Sequence, residues 1–88
     1  MSWFVYMLRC ADDSLYTGIT KDLERRLAEH NYDNKKGARY TRARRPVQVV
    51  YQLSCENRAS ASQAEARLKK LNRQQKLALL KPGAANGE

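Results

Sequence analysis

Leu15-Tyr16-Thr17-Gly18-Ile19-Thr20-Lys21-Asp22-Leu23-Glu24-Arg25-Arg26-Leu27-Ala28-Glu29-His30-Asn31 reads as a short strand running straight into an amphipathic helix. On that helix Leu23, Arg26, Leu27 and His30 recur at i, i+3, i+4 and i+7, so they share one face. That face has to be buried, which aims Arg26 and His30 inward and leaves Glu24, Arg25 and Glu29 on the outer side. A guanidinium directed inward needs either an internal carboxylate or an anion that arrives from outside. Thr20 serves as an N-cap for a helix from Lys21 to about Asn31.

Upstream, Trp3 to Leu8 is apolar at both parities, as in a central strand covered on two faces. Ala11-Asp12-Asp13-Ser14 supplies a turn, so Leu15 to Thr20 returns as the second strand of a hairpin. A loop with an odd number of residues, pairing Cys10 with Ser14, sets Tyr6 opposite Gly18 and brings Tyr6 and Tyr16 to one face. An even loop puts the two phenols on opposite faces, and the sequence leaves that choice open. Gly18 within a strand marks a close approach by a backbone, a ring or a substrate.

Downstream, Tyr32 to Pro46 has no apolar period, and it carries Lys35, Lys36, Arg39, Arg42, Arg44 and Arg45 interleaved with Tyr32 and Tyr40. Side chains of these two kinds grip phosphates and stack on bases, so Lys35, Lys36, Arg39, Tyr40, Arg42, Arg44 and Arg45 are the candidate nucleic-acid contacts. A solvated charge run is the plainer reading. Val47, Val49, Tyr51 and Leu53 alternate with Gln48, Val50 and Gln52 as a third, half-exposed strand. A loop from Ser54 to Ala59 leads into a helix from Ser60 with the stripe Ala61, Ala64, Leu68 and Leu71. Glu65 lies at the border of that stripe. It either completes a capping box with Ser62 or, if Ser60 and Gln63 form the box, stands free one turn inside the helix. A break near Asn72 precedes a last short helix ended by Pro82-Gly83. The expected organisation is one domain over 1–81 and a disordered tail over 82–88.

The 88 residues contain 17 Lys plus Arg against 9 Asp plus Glu, a net charge of +8 that favours a polyanionic partner, nucleic acid before others. Composition is that of a folded soluble domain, and no run is long enough to span a membrane. The apolar run Trp3 to Leu8 lacks the basic flank and cleavage site of a signal peptide, so a cytoplasmic location is expected. Cys10 and Cys55 make neither a disulfide framework nor a zinc quartet and read as buried thiols, and a single His excludes a His-rich metal site.

The inward groups Tyr6, Tyr16, Arg26, His30 and Glu65 suit a phosphodiester better than zinc. Hydrolysis of one needs a deprotonated water, neutralised phosphoryl oxygens and help for the leaving oxygen. One hard carboxylate can hold Mg²⁺ with its waters, and Arg26 can clamp phosphoryl oxygens. The competing roles are structural. The tyrosines would be strand aromatics, Arg26 the ion-pair partner of Glu65, and His30 a helix C-terminal cap.

Phe4-Val5-Tyr6, Tyr16-Thr17-Gly18, Arg26, His30 and Glu65 together resemble the GIY-YIG nuclease domain from Trp3 to about Leu80, in the layout of its small stand-alone bacterial branch. Gly37-Ala38-Arg39-Tyr40-Thr41 with Arg45-Pro46 is similar to catalytic subunits of endonucleases that cut branched DNA. The resemblance implies an α+β fold, a three-stranded antiparallel sheet flanked by helices. It also implies one Mg²⁺ or Mn²⁺ ion on Glu65, phosphate stabilisation by Arg26, water activation by Tyr6 or Tyr16, and phosphate contact or proton shuttling by His30. Phe4 stands where the signature has its first Gly, and Ile19 where nucleotide-excision repair relatives carry Lys. The function expected is a metal-dependent endonuclease on DNA, including branched or flapped forms. The alternative is a nucleic-acid-binding module with little or no catalysis. A chain this short leaves a partner subunit or a homodimer as open routes to specificity.

Overall fold

The structure is a computed structural model that describes residues 2–80. In chain order it runs β1 (Trp3–Arg9), β2 (Leu15–Thr20), α1 (Leu23–Tyr32), α2 (Arg39–Arg42), β3 (Gln48–Cys55), α3 (Arg58–Lys70) and α4 (Arg73–Leu80). The three strands form one antiparallel sheet in the order β2-β1-β3. The α+β architecture expected from the sequence is therefore present, and the doubly apolar β1 is its centre. The expected end of the last helix at Pro82-Gly83 and the 82–88 tail lie outside the described residues.

The hairpin loop takes the odd count. Cys10 N–H donates to Ser14 O (2.9 Å), and Asp13 closes the three-residue loop at φ 71°. Asp tolerates that left-handed conformation, which such loops require after a turn. The register follows: Tyr6 faces Gly18 and Leu8 faces Tyr16.

Alternation along β1 sends neighbouring side chains to opposite faces. Val5 and Met7 pack with Ala64 and Leu68 of α3, joined by Ile19, Leu71 and Leu80. Tyr6, Leu8, Cys10 and Val47 pack on the other side with Tyr16, Leu23 and Leu27. The helices thus sandwich the sheet, α3 and α4 on one face and α1 on the other. Met7, Leu8 and Val5 have no exposed surface at all, and burying each stabilises the fold by about 1.5–3 kcal/mol. A bulge between Met7 and Leu8 shifts the β3 register, so the neighbours Val50 and Tyr51 fall in the same layer while Val49 packs on the other.

Caps differ from those expected. α1 begins at Leu23, and its N-cap is Asp22, whose carboxylate accepts from Arg25 N–H (3.0 Å); Thr20 instead accepts from Asp22 N–H (3.2 Å). α3 begins at Arg58 under Asn57, which accepts from Ser60 N–H (2.8 Å), so neither serine-led capping box forms. Asn and Asp cap as well as Ser, and here they lie at the point where the chain leaves a strand. The break at Asn72 is present as a reciprocal box: Gln75 N–H to Asn72 Oδ1 (2.8 Å), Asn72 N–H to Gln75 Oε1 (3.0 Å).

The connection before β3 is more ordered than its composition suggests. It contains the one-turn helix α2, and Asn31 pins its end by pairing with both backbone groups of Val47 (2.8 and 3.0 Å). Cys10 is buried as expected, whereas Cys55 is half-buried. No helix among the described residues is long and apolar enough to cross a membrane.

Candidate active site

Gly18 shows how the site is built. A Cβ placed there would lie 2.6 Å from the Tyr6 hydroxyl and 2.7 Å from its Cζ. The Tyr6 ring therefore lies flat across β2, and only glycine leaves room for it. Because β2 is the edge strand, the Tyr6 hydroxyl is carried to the open border of the sheet.

One group is bonded to it there, and two charges bear on it. Tyr6 Oη is 2.9 Å from His30 Nε2. The Arg26 guanidinium acts on the same hydroxyl, opposing the rise that burial gives its pKa. The Glu65 carboxylate also acts on it, although α3 packs against the opposite face: its charge repels a Tyr6 phenolate. Tyr16 completes the group by setting its ring edge-on to His30, with centroids 5.3 Å apart. The structure thus assembles Tyr6, Tyr16, Arg26 and His30 on the α1 side, whereas Glu65 stands on α3 with Lys69 as its ion-pair partner and is not bonded to them.

Arg26 does not pair with Glu65. It donates to Glu29 Oε1 (2.9 Å) and to Lys36 O (2.6 Å), while Glu65 pairs with Lys69 (3.4 Å). Glu29, placed on the outer side by periodicity, bridges Arg25 and Arg26 and is the carboxylate that the inward guanidinium needs. A cleft of about 280 Å³ opens beside Arg26, lined by Thr20, Lys21, Asp22, Arg25 and Glu29.

Burial fixes the protonation states of the site. Burial, against a hydrogen bond from Arg26, pushes the Tyr6 phenol up to about 12. Burial and the Arg26 charge push His30 down to about 4. Burial opposes the charge on Arg26, but its bonds to Glu29 and Tyr6 outweigh this and hold it charged. Near neutrality the centre is therefore a protonated phenol, a neutral imidazole and a permanent cation.

His30 is also held from behind. Its Nδ1 is 2.9 Å from Thr41 Oγ1, and Thr41 is fully buried within α2. No spacing marks this contact, because Thr41 sits in a basic segment without period.

The same segment splits the candidate nucleic-acid contacts into two groups. Lys35, Lys36, Arg39, Tyr40 and Arg42 are exposed. Arg45 instead donates to His30 O (2.7 Å), Asp33 O (2.9 Å) and Asn34 Oδ1 (2.9 Å), tying off the end of α1. Arg44 pairs with Asp12 of the hairpin loop (3.1 Å) and covers the Tyr40 ring at 3.9 Å. Tyr40 in turn stacks on Tyr16 (5.8 Å). A ladder therefore runs from His30 through Tyr16 and Tyr40 to Arg44 at the surface.

Among the described residues no three His, Cys, Asp or Glu side chains converge. Glu65, about a quarter exposed, fits a hard divalent cation that keeps most of its waters, and the donor set does not suit a tetrahedral zinc. Phe4 packs half-buried beside Thr20 on β2.

Residues 2–78 match the family model described as the GIY-YIG catalytic domain. A UPF0213 protein of Desulfotalea psychrophila is 51% identical over 80 residues, 91% of this chain and 72% of the relative. One from Staphylococcus saprophyticus is 45% identical over 80 residues, 91% of this chain and 95% of the relative. The solution NMR structure of a UPF0213 protein from Bacillus halodurans is similar, with TM-score 0.58 and 36% identity over 98% of this chain and 94% of that one. An NMR structure of a protein from E. faecalis gives TM-score 0.58 at 40% identity, covering 90% and 83%.

Proposed function

The chain belongs to the GIY-YIG catalytic-domain family, and from that membership we propose that it is a divalent-metal-dependent endonuclease hydrolysing DNA phosphodiester bonds, branched or flapped forms being the first substrates to test. One observation carries the reading: the buried Tyr6 hydroxyl is bonded to His30 Nε2 at 2.9 Å, with the Arg26 charge bearing on both. A module that only bound nucleic acid would need the exposed basic segment and nothing of this kind.

In the proposed reaction Tyr6 takes a proton from the attacking water while its own proton passes to His30 Nε2, 2.9 Å away. The hydroxide oxygen forms the new bond to phosphorus, and the ester bond breaks with its electron pair on the departing oxygen. That oxygen then takes a proton from solvent, and His30 returns its proton to Tyr6, which releases to solvent the one taken from water. Arg26 neutralises charge on the phosphoryl oxygens, kept in place by Glu29 and the Lys36 carbonyl. Tyr16 braces the imidazole by its edge contact. Glu65 would hold a Mg²⁺ or Mn²⁺ ion, which when bound supplies Lewis acidity toward phosphate oxygens. Lys35, Lys36, Arg39, Tyr40 and Arg42 would carry the nucleic-acid backbone on the same side as the site.

Labelled duplex, single-stranded and branched DNA incubated with Mg²⁺ or with chelator provide the test. Cleavage should vanish with chelator and in Glu65→Gln, while binding persists. Cleavage undiminished in Glu65→Gln would remove the metal assignment, and binding without cleavage by any metal-loaded form would leave the binding-module reading.

A further inference from the structure

Thr41 determines which way the hydrogen bonds of the site run. Its hydroxyl has one proton and two neighbours: Ala38 O at 3.0 Å and His30 Nδ1 at 2.9 Å. The carbonyl can only accept; it takes Arg42 N–H (3.0 Å) on one lone pair and the Thr41 hydroxyl proton on the other. Thr41 Oγ1 must then accept from His30, which places the imidazole proton on Nδ1. A neutral ring protonated there has a bare Nε2, and that atom lies 2.9 Å from Tyr6 Oη. The row is therefore one-directional: Tyr6 O–H to Nε2, Nδ1–H to Thr41, Thr41 O–H to Ala38 O. Tyr6, His30 and Thr41 are each at most 1% exposed, so water does not compete for these bonds.

We propose that Thr41 is a positioning residue that locks His30 in its Nδ1–H tautomer and so leaves Nε2 free to receive the Tyr6 proton. The opposite tautomer would turn Nε2 into a donor facing a donor. Thr41 touches neither the phosphate nor the water; it acts through His30. Its location matters as well. Ala38 and Thr41 belong to the segment that carries Arg39, Tyr40 and Arg42, so the surface offered to nucleic acid and the group that sets the proton acceptor are one piece of chain. The kinetic consequence rests on the hydrolytic reading above, whereas the tautomer does not.

The test exploits the single histidine of the chain. With ¹⁵N-labelled histidine, a long-range ¹H–¹⁵N correlation spectrum at pH 7 reports one imidazole. Wild type should show a protonated-type Nδ1 and a bare-type Nε2, the reverse of free histidine in water. Thr41→Ser should keep both shifts and cleavage. Thr41→Val, nearly the same shape without the hydroxyl, should move both shifts toward the other tautomer and lower kcat about tenfold at unchanged KM. A protonated Nε2 in wild type overturns the proposal regardless of activity, as do unmoved shifts in Thr41→Val. Thr41→Ala replaces the valine variant if that one does not fold, under the same two outcomes. The expected shifts in a protein that cleaves nothing would instead sink the hydrolytic reading and leave the lock standing.

Discussion

The two faces of the sheet are built on opposite terms. Toward α3, β1 presents Val5 and Met7 to Ala64 and Leu68, a layer held by apolar burial. Toward α1, the next residue along, Tyr6, enters a row of hydrogen bonds through His30 to Thr41, flanked by Arg26. One strand thus serves two environments at a period of two. Burial of polar groups contributes little to net stability, and each unsatisfied one costs free energy. A face that nevertheless gathers a phenol, an imidazole and a guanidinium beside Leu8 and Val47 is retained for chemistry, and the dry face opposite adds stability without polar groups of this kind. The contrast should appear as two classes of variant, one losing rate and the other losing stability.

Tyr6→Phe tests the first class and should give the largest effect. The ring still lies across Gly18, so the fold persists, but the proton path is cut. Cleavage per folded molecule should fall by about 10²–10⁴-fold, measured as kcat alongside an unfolding curve. A variant that keeps its rate would show that Tyr6 merely packs. Met7→Ala tests the second class, removing a side chain with no exposed surface. It should lower unfolding free energy by about 2–5 kcal/mol in urea while kcat of the remaining folded protein stays near wild type. An equal loss of kcat would mean that the two faces are not separable.

A smaller effect comes from pH, because His30 is buried as the neutral form. Its folded-state value is depressed from 6.5 to about 4. Between those values the unfolded chain binds a proton that the native protein excludes, so stability is present above pH 6.5 and is lost as pH falls toward 4. The slope should approach about 1.4 kcal/mol per pH unit in the middle of that window, and it should flatten in His30→Asn. Glu29 and Asp33 also have lowered values, held down by hydrogen bonds from Arg26 and from the Lys36 and Lys35 backbone respectively. Their contribution is lost below the ordinary carboxylate range, at the acid end of the same titration. A wild-type slope identical to that of His30→Asn would place the proton elsewhere.

What the sequence disclosed divides along the same line. Periodicity is a local property, and it sufficed for the central strand, the inward set Leu23, Arg26, Leu27 and His30, and the Ala61-Ala64-Leu68 stripe. Gly18 was legible as a close approach, although the ring that fills the space could not be identified without the register. That register depended on one backbone angle, at Asp13, which no side-chain pattern encodes. Partners separated by loops were the hardest to read. Thr41 reaches His30 across eleven positions, and Arg45 spends its donors on groups 11 to 15 residues away, so neither leaves a spacing that marks it. Glu29 was misjudged differently: a side chain at the border of a helix face can turn inward when a neighbour three residues earlier offers a charge.

Thr17 probes the dry face at its one polar position. It lies opposite Met7 in the register, is 6% exposed, and among the described residues its hydroxyl is a buried group without a partner. The residue has the branching of valine, which suits a strand, yet its oxygen has given up water for nothing in return. Replacing it with the isosteric apolar residue removes that penalty without altering the packing. Thr17→Val should therefore raise stability by about 1 kcal/mol, seen as a higher urea midpoint at unchanged slope. Cleavage should not change, because this side chain points to the layer opposite the Tyr6 hydroxyl. A loss of cleavage would mean that the Thr17 hydroxyl is held for the reaction after all, and that the apolar layer is not as separate from the chemistry as its composition makes it look.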